Sequence, residues 1–203
     1  MNRRSDAMSR ALQLDDIMDL RAYERERDDV RRDVMALKRR RRVTVGPVVS
    51  LVFENRQTVL FQVHEMVRAE RIASDDAVLE ELRAYNPLIP EPGELSATLF
   101  IELTDDEQLR TWLPRLVGIE RTVELRLAGG ARVRSVPEAG HEAQLTRAEI
   151  TPAVHYLRWA FSPAEVAEFA GGPVALAVDH PEYRHEVDLP AETRAELLAD
   201  LRG

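Results

Sequence analysis

The sequence predicts an α+β fold in which long N-terminal helices pack against a mostly antiparallel β-sheet. Three observations carry this. Apolar residues recur at the helical period through residues 15–41 and again through 56–72. Strict apolar alternation runs through "LSATLFIEL" at residues 95–103, where Leu95, Ala97, Leu99, Ile101 and Leu103 share one face. Two hairpin-like pairs then follow, the first turning at Gly129-Gly130 and the second at His180-Pro181, and hairpins make antiparallel sheets.

Residues 1–11 are polar and aperiodic and are expected to form a disordered tail. A helix is expected from Asp15 to Arg41, with Tyr23, Val30, Val34 and Leu37 on one side and Arg21, Arg25, Arg32 and Arg39 opposite. Acidic partners four residues away, such as Arg25–Asp29 and Asp28–Arg32, lace its outer face. Strands are expected at 43–45 and 48–53 around Gly46-Pro47. Asn55 is a suitable N-cap for the helix over 56–72, and Ser74-Asp75 starts another that must end before Pro87.

The proline-rich "NPLIPEPGE" at 86–94 is the best internal boundary. Residues 12–203 read as one α+β domain, with a helical part at 12–86 and a sheet-rich part at 95–203. Thr104 is expected to cap a helix over 105–117. "PAVHYLRWAF" reads as a strand, Ser162-Pro163 opens a helix stopped by Gly171-Gly172, and a last helix runs from Pro190 to Leu201.

Composition removes several functions. The chain has no cysteine, which excludes thiol nucleophiles and cysteine-ligated zinc or iron–sulfur clusters, and no cofactor is expected. Neither a phosphate-binding glycine loop nor a nucleophile elbow is present. No apolar run is long enough to span a bilayer, and the N-terminus lacks an apolar signal core, so a cytoplasmic protein without membrane insertion is expected. Residues 1–45 carry net charge +4 and residues 46–203 carry −12. The run Lys38–Arg42 could meet phosphates, but it lacks interleaved aromatic residues and closes a helix whose dipole favours cations there. Nucleic-acid binding through this arginine-rich helix is therefore the last-ranked reading.

The helix over 56–72 carries the most chemistry. Val59, Val63, Met66 and Val67 form its apolar face, and Glu70 falls in the middle of that face. A buried carboxylate needs an arginine, a metal, a proton or a frayed end, and Arg27 is a candidate partner. His64 and Glu65 lack the spacing that lets two ligands share one metal. The metal candidates are Glu70, His155 and His180; His155 alternates with Leu157 and Trp159 and is expected to face the core. A metal-dependent or carboxylate-based enzyme using Glu65 and Glu70 with a histidine is the second reading.

"LQLDDIMDLRAYERERDDVRRDVMALKRRRRVTVGPVVSLVFENRQTVLFQVHEMVRAERI", "ELRAYNPLIP", "AVHYLRWAF" and "VDHPEY" together resemble a bacterial family, the domain of unknown function 3501. The resemblance extends over nearly everything beyond residue 12. It implies genes found beside rubrerythrin-like di-iron proteins and iron–sulfur oxidoreductases, and hence a role near peroxide or redox metabolism. It also implies glutamine where this chain has His64, which leaves Asn55, Arg56, Gln62, Glu65, Arg68 and Glu70 as the helix's candidate binding residues, joined by Tyr85 and Asn86 of "AYNPLIP". The first-ranked expectation is thus an accessory or binding protein that partners a rubrerythrin-like or iron–sulfur oxidoreductase protein in oxidative-stress or redox chemistry.

Overall fold

The computed structural model describes residues 10–138 and 150–203. The expected tail at residues 1–11 lies outside these except for Arg10 and Ala11. The first helix, α1 (Leu20–Arg41), starts later than its apolar period suggests, because the Asp19 side chain accepts the backbone N–H groups of Arg21 and Ala22 and caps it there. Before it, a 3-10 turn at Leu14–Asp16 leads into extended backbone. Tyr23, Val34, Leu37 and Arg41 are buried along one side of α1, as the period requires.

Five strands form one antiparallel sheet in the order β1 (Arg42–Val45), β2 (Val49–Glu54), β3 (Glu94–Ile101), β7 (Val154–Ala160), β6 (Val136–Pro137). Four form a second in the order β5 (Arg132–Arg134), β4 (Val123–Leu127), β8 (Val174–His180), β9 (Tyr183–Asp188). The α+β class expected from the sequence is the class observed. The proline-rich boundary at 86–94 does not divide the sheet: Leu51 of β2 sits opposite Leu99 of β3.

Both sheets contribute to one apolar core. Leu51, Phe53, Leu95, Leu99 and Trp159 of the first meet Leu125, Val174 and Leu176 of the second. Phe169 of α5 (Pro163–Gly171) and Leu197 and Leu201 of α6 (Ala191–Arg202) complete it. A smaller core joins Val59, Val63 and Val67 of α2 (Arg56–Ala69) to Val78 and Leu82 of α3 (Asp75–Tyr85), with Leu12, Leu88 and Ile89. The helix expected over 105–117 is shorter. Asp105, not Thr104, caps α4 (Asp106–Trp112), and the regular helix ends at Trp112, with Leu113 as a C-cap whose N–H still reaches the Leu109 carbonyl.

Two polar devices join these layers. The Tyr183 hydroxyl donates to the Val45 carbonyl (2.6 Å) and accepts from the Val48 and Val49 N–H groups (3.2 Å each), pinning β9 to the β1–β2 turn. That turn needs Gly46: its φ is +74°, and a Cβ there would stand 2.5 Å from Tyr183 and His185. Arg41 is fully buried. It donates to the carbonyls of Phe53 (2.8 Å) and Glu54 (3.1 Å) and to the Asp200 carboxylate, and it lies 3.5 Å from Glu196.

Arg41→Leu should destabilise the fold by roughly 3–5 kcal/mol, since it strands the half-buried Asp200 and two carbonyls without their donor. Arg39→Leu, on the exposed side of the same helix, should change stability by less than about 0.5 kcal/mol. Urea unfolding of the two variants beside the parent chain measures both.

Candidate functional site

α2 is fixed first by its ends. The Asn55 side chain accepts the Thr58 N–H (3.0 Å), and the Thr58 hydroxyl accepts the Asn55 N–H (2.9 Å), so Asn55 caps the helix as the sequence predicts. Below the cap, the buried Glu54 carboxylate accepts from the Thr58 and Thr98 hydroxyls, the latter at 2.7 Å. At the other end the helix stops at Ala69. The Glu70 N–H still reaches the Met66 carbonyl, and Arg71 turns into the left-handed region at φ 54°.

Glu70 is consequently exposed. Glu70 is the C-cap of the helix, so its carboxylate sits at the helix end in solvent, the frayed-end alternative of the sequence reading. Its expected partner Arg27 lies elsewhere. Glu70 instead contributes charge beside Glu81 and Tyr85, both of which burial pushes above their ordinary values.

Arg27 holds Glu65. The guanidinium donates to both carboxylate oxygens at 2.8 Å, and the Tyr23 hydroxyl donates to the first of them at 2.8 Å. The Arg27 hydrogen bonds, helped by Tyr23 and outweighing burial, hold the Glu65 carboxyl down at about 2. Burial, with the bond to Glu65, pushes the Tyr23 phenol well above its usual range. One turn on, Arg68 Nε lies 3.0 Å from Glu24. The polar residues of α2 that face α1 thus satisfy α1.

His64 is buried and stacks on Tyr23, with ring centroids 4.6 Å apart and planes 14° apart. Its Nε2 accepts the Met18 backbone N–H at 3.0 Å, while its Nδ1 has no partner among the described residues. Burial lowers its pKa below the usual histidine value.

Other residues also tie down the segment before α1. Asn86 accepts from the Leu12 N–H (2.7 Å) and donates to the Leu12 carbonyl (3.0 Å). Arg56 pairs with Asp16 at 2.7 Å and donates to the Arg10 carbonyl at 3.1 Å. Arg10 donates to the Pro90 carbonyl at 3.1 Å. Tyr85 is half-buried and packs on the α2–α3 core, and Gln62 is half-buried as well.

Beyond this clamp a groove of about 390 Å³ opens between the segment, the end of α2 and the start of α3. Leu14, Ile17, Leu20, Val67, Ile72 and Val78 supply most of its lining, and Asp19, Arg21 and Asp75 also line it. The structure therefore brings Glu65, Arg68 and His64 together against α1. It places Asn55 and Arg56 at the opposite end of α2, and it leaves Glu70 outside.

The metal candidates do not converge. Among the described residues no group of three or more histidine or acidic side chains is placed to hold a metal. His180 Nε2 lies 3.1 Å from the Val117 carbonyl, and its Nδ1 accepts the Glu182 N–H. His155 is buried beside the Thr151 hydroxyl (2.9 Å) and 3.9 Å from the buried Glu120, and all three are almost wholly covered. Most of the basic run is engaged by the molecule's own groups. Lys38 stands over the Phe61 ring, Arg40 pairs with Glu196 at 2.8 Å, Arg41 is buried, and Arg42 pairs with Glu102 at 2.5 Å.

Sequence reasoning missed Glu120, Tyr183 and the buried role of Glu54. Glu54 had one legible signal, a carboxylate closing an apolar strand. Its partners Thr58 and Thr98 become neighbours only when β2 and β3 pair.

The comparisons add a family and a solved relative. Residues 11–201 match the family described as Protein of unknown function (DUF3501). A crystal structure of a novel protein of unknown function from Burkholderia pseudomallei K96243 is 38% identical, with a TM-score of 0.87, and the match covers 94% of this chain and 99% of that one. No curated protein sequence matches.

The Glu65 pairing should be visible in acid. Its carboxyl is depressed in the folded state to about 2 from an ordinary 4.5, so the stability it contributes is complete above about pH 4.5 and is lost as pH falls toward 2. Glu65→Gln should lower stability at neutral pH and flatten this part of the acid limb, as read by urea unfolding at stepped pH.

Proposed function

The chain belongs to the DUF3501 family, and we propose that it is a cytoplasmic accessory protein that docks a partner protein in the groove beside Met18, without itself carrying electrons. The observation that carries this reading is the groove's lining. Apolar side chains from three separate elements meet in one open concavity, and such a surface binds by burying hydrocarbon from a partner.

The carboxylates of α2 support the same reading. Both oxygens of Glu65 are occupied by Arg27 and Tyr23, and Glu70 stands in solvent at a helix end. The Glu65 pairing sets the angle between α1 and α2, which fixes the groove. The fold also brings no helix among the described residues that is long and apolar enough to cross a membrane.

For the partner we infer a rubrerythrin-like protein or an iron–sulfur oxidoreductase, the redox proteins that the family resemblance implies. Such a partner would insert an apolar side chain between Ile17 and Ile72. Isothermal titration of the full chain against each of these two proteins tests it. A complex with micromolar or tighter affinity is expected with one of them, and Ile72→Glu should weaken it more than about tenfold, because the substitution puts a charge where hydrocarbon is buried. If neither protein binds at micromolar concentrations, the assignment fails.

A further inference from the structure

We propose that His64 is a proton-operated latch on the groove: the neutral ring holds the segment before α1 in place, and protonation releases it. The geometry rests on one bond. His64 Nε2 accepts the Met18 N–H at 3.0 Å, so in the neutral ring the proton must sit on Nδ1. That Nδ1 is buried and has no partner among the described residues. Adding a proton to Nε2 turns the acceptor into a donor that faces another donor, and the bond cannot survive. One of the two groups must move.

The ring is the better held. It lies flat against the Tyr23 face at 4.6 Å, where a cation gains rather than loses. The neighbouring Glu65 charge also favours the protonated form. The segment is held less well at this point. It runs as a short 3-10 turn and extended backbone, with Ile17 and Met18 forming part of the groove wall. The charged and titratable groups on the surrounding elements are Arg21, Tyr23, Glu24 and Arg27 of α1, Glu65 and Arg68 of α2, Asp16 and Asp19 of the segment, and Asp75 of α3.

Arg27 and Tyr23 occupy both Glu65 oxygens, and Arg68 pairs with Glu24. The Glu65 carboxyl, held down at about 2, keeps its pairing through the range where a histidine titrates. Burial opposes the charged ring, so the latch opens on the acid side of the ordinary value of 6.5. Because the folded state binds this proton less readily than the unfolded chain, the same event lowers stability as pH falls through that value. The consequence for docking rests on the groove reading above, whereas the latch itself does not.

Residue-resolved hydrogen exchange on the full chain, without partner, tests the latch. The protection of the Met18 amide, corrected for intrinsic rate, should fall at least about tenfold between about pH 7.5 and about pH 5, while α3 amides stay protected. In H64Q the side-chain oxygen can still accept the Met18 N–H but does not titrate, so protection should become independent of pH. Nitrogen-15 spectra of the parent ring, which need no variant, should show the proton on Nδ1 at neutral pH. A parent chain whose Met18 protection ignores pH, an H64Q chain that loses protection on the parent's pH profile, or a neutral ring protonated on Nε2 overturns the proposal. A positive exchange result together with failed titration against both redox proteins would leave the latch standing and remove only the docking assignment.

Discussion

A guanidinium with no exposed surface holds the two halves of this molecule in register. Arg41 ends α1, yet it belongs as much to β2, whose last two carbonyls it fills, and to α6, whose Asp200 it faces. Burying a charge costs several kcal/mol unless its donors are matched, and here the matching comes from three elements far apart in sequence. The dependence is mutual. Burial raises the Asp200 carboxyl even against the pull of Arg41. Neither group is comfortable in this place without the other, so α1, β2 and α6 share one arrangement.

From that node the order propagates to the groove. Glu54, whose carbonyl Arg41 fills, turns its carboxylate to Thr58 in the first turn of α2 and to Thr98 on β3. The start of α2 is thereby fixed to the sheet. Farther along, Arg27, Tyr23 and Glu65 fix its rotation against α1. The segment before α1 then has one place to lie, bonded to Asn86, Arg56 and His64. The apolar wall of the groove follows from polar contacts made outside it.

Much of this was legible residue by residue, and the limits are physical. Capping residues located the starts of α2, α3 and α5, because those signals are local and the structure uses them unchanged. The period misplaced the start of α1, since Asp19 offers a cap that hydrophobic spacing does not register. Glu70 lies on the apolar face of a helical wheel that runs to residue 72; the helix ends at Ala69, so of the alternatives open to Glu70 the helix end in solvent is the one observed. Pairings across the fold, Arg41 with Asp200 or Glu54 with Thr98, leave no mark in the sequence because their partners are 159 and 44 residues away. The candidate site was half visible. Glu65 and Arg68 were identified as polar residues of interest, but their partners on α1 were not, and without those partners an architectural carboxylate resembles a reactive one.

The uneven charge along the chain has the same resolution. A segment of net +4 followed by a body of −12 suggests a basic surface seeking an acidic partner. In the folded molecule much of that complementarity is internal. Arg40 meets Glu192 and Glu196, Arg41 meets Asp200, and Arg42 meets Glu102. Three of the five basic residues that stand out most in the sequence are thus neutralised by the body they precede. Lys38 lies over Phe61 instead, and Arg39 is exposed. A phosphate backbone would have to displace these ion pairs, one of them buried, to use the run, so electrostatic recognition of nucleic acid competes against the fold's own stability. The groove carries no such conflict over most of its lining, because its apolar side chains are not needed to neutralise anything. What remains free for a partner in this region is hydrocarbon, and that makes docking the reading most consistent with how the charges are spent.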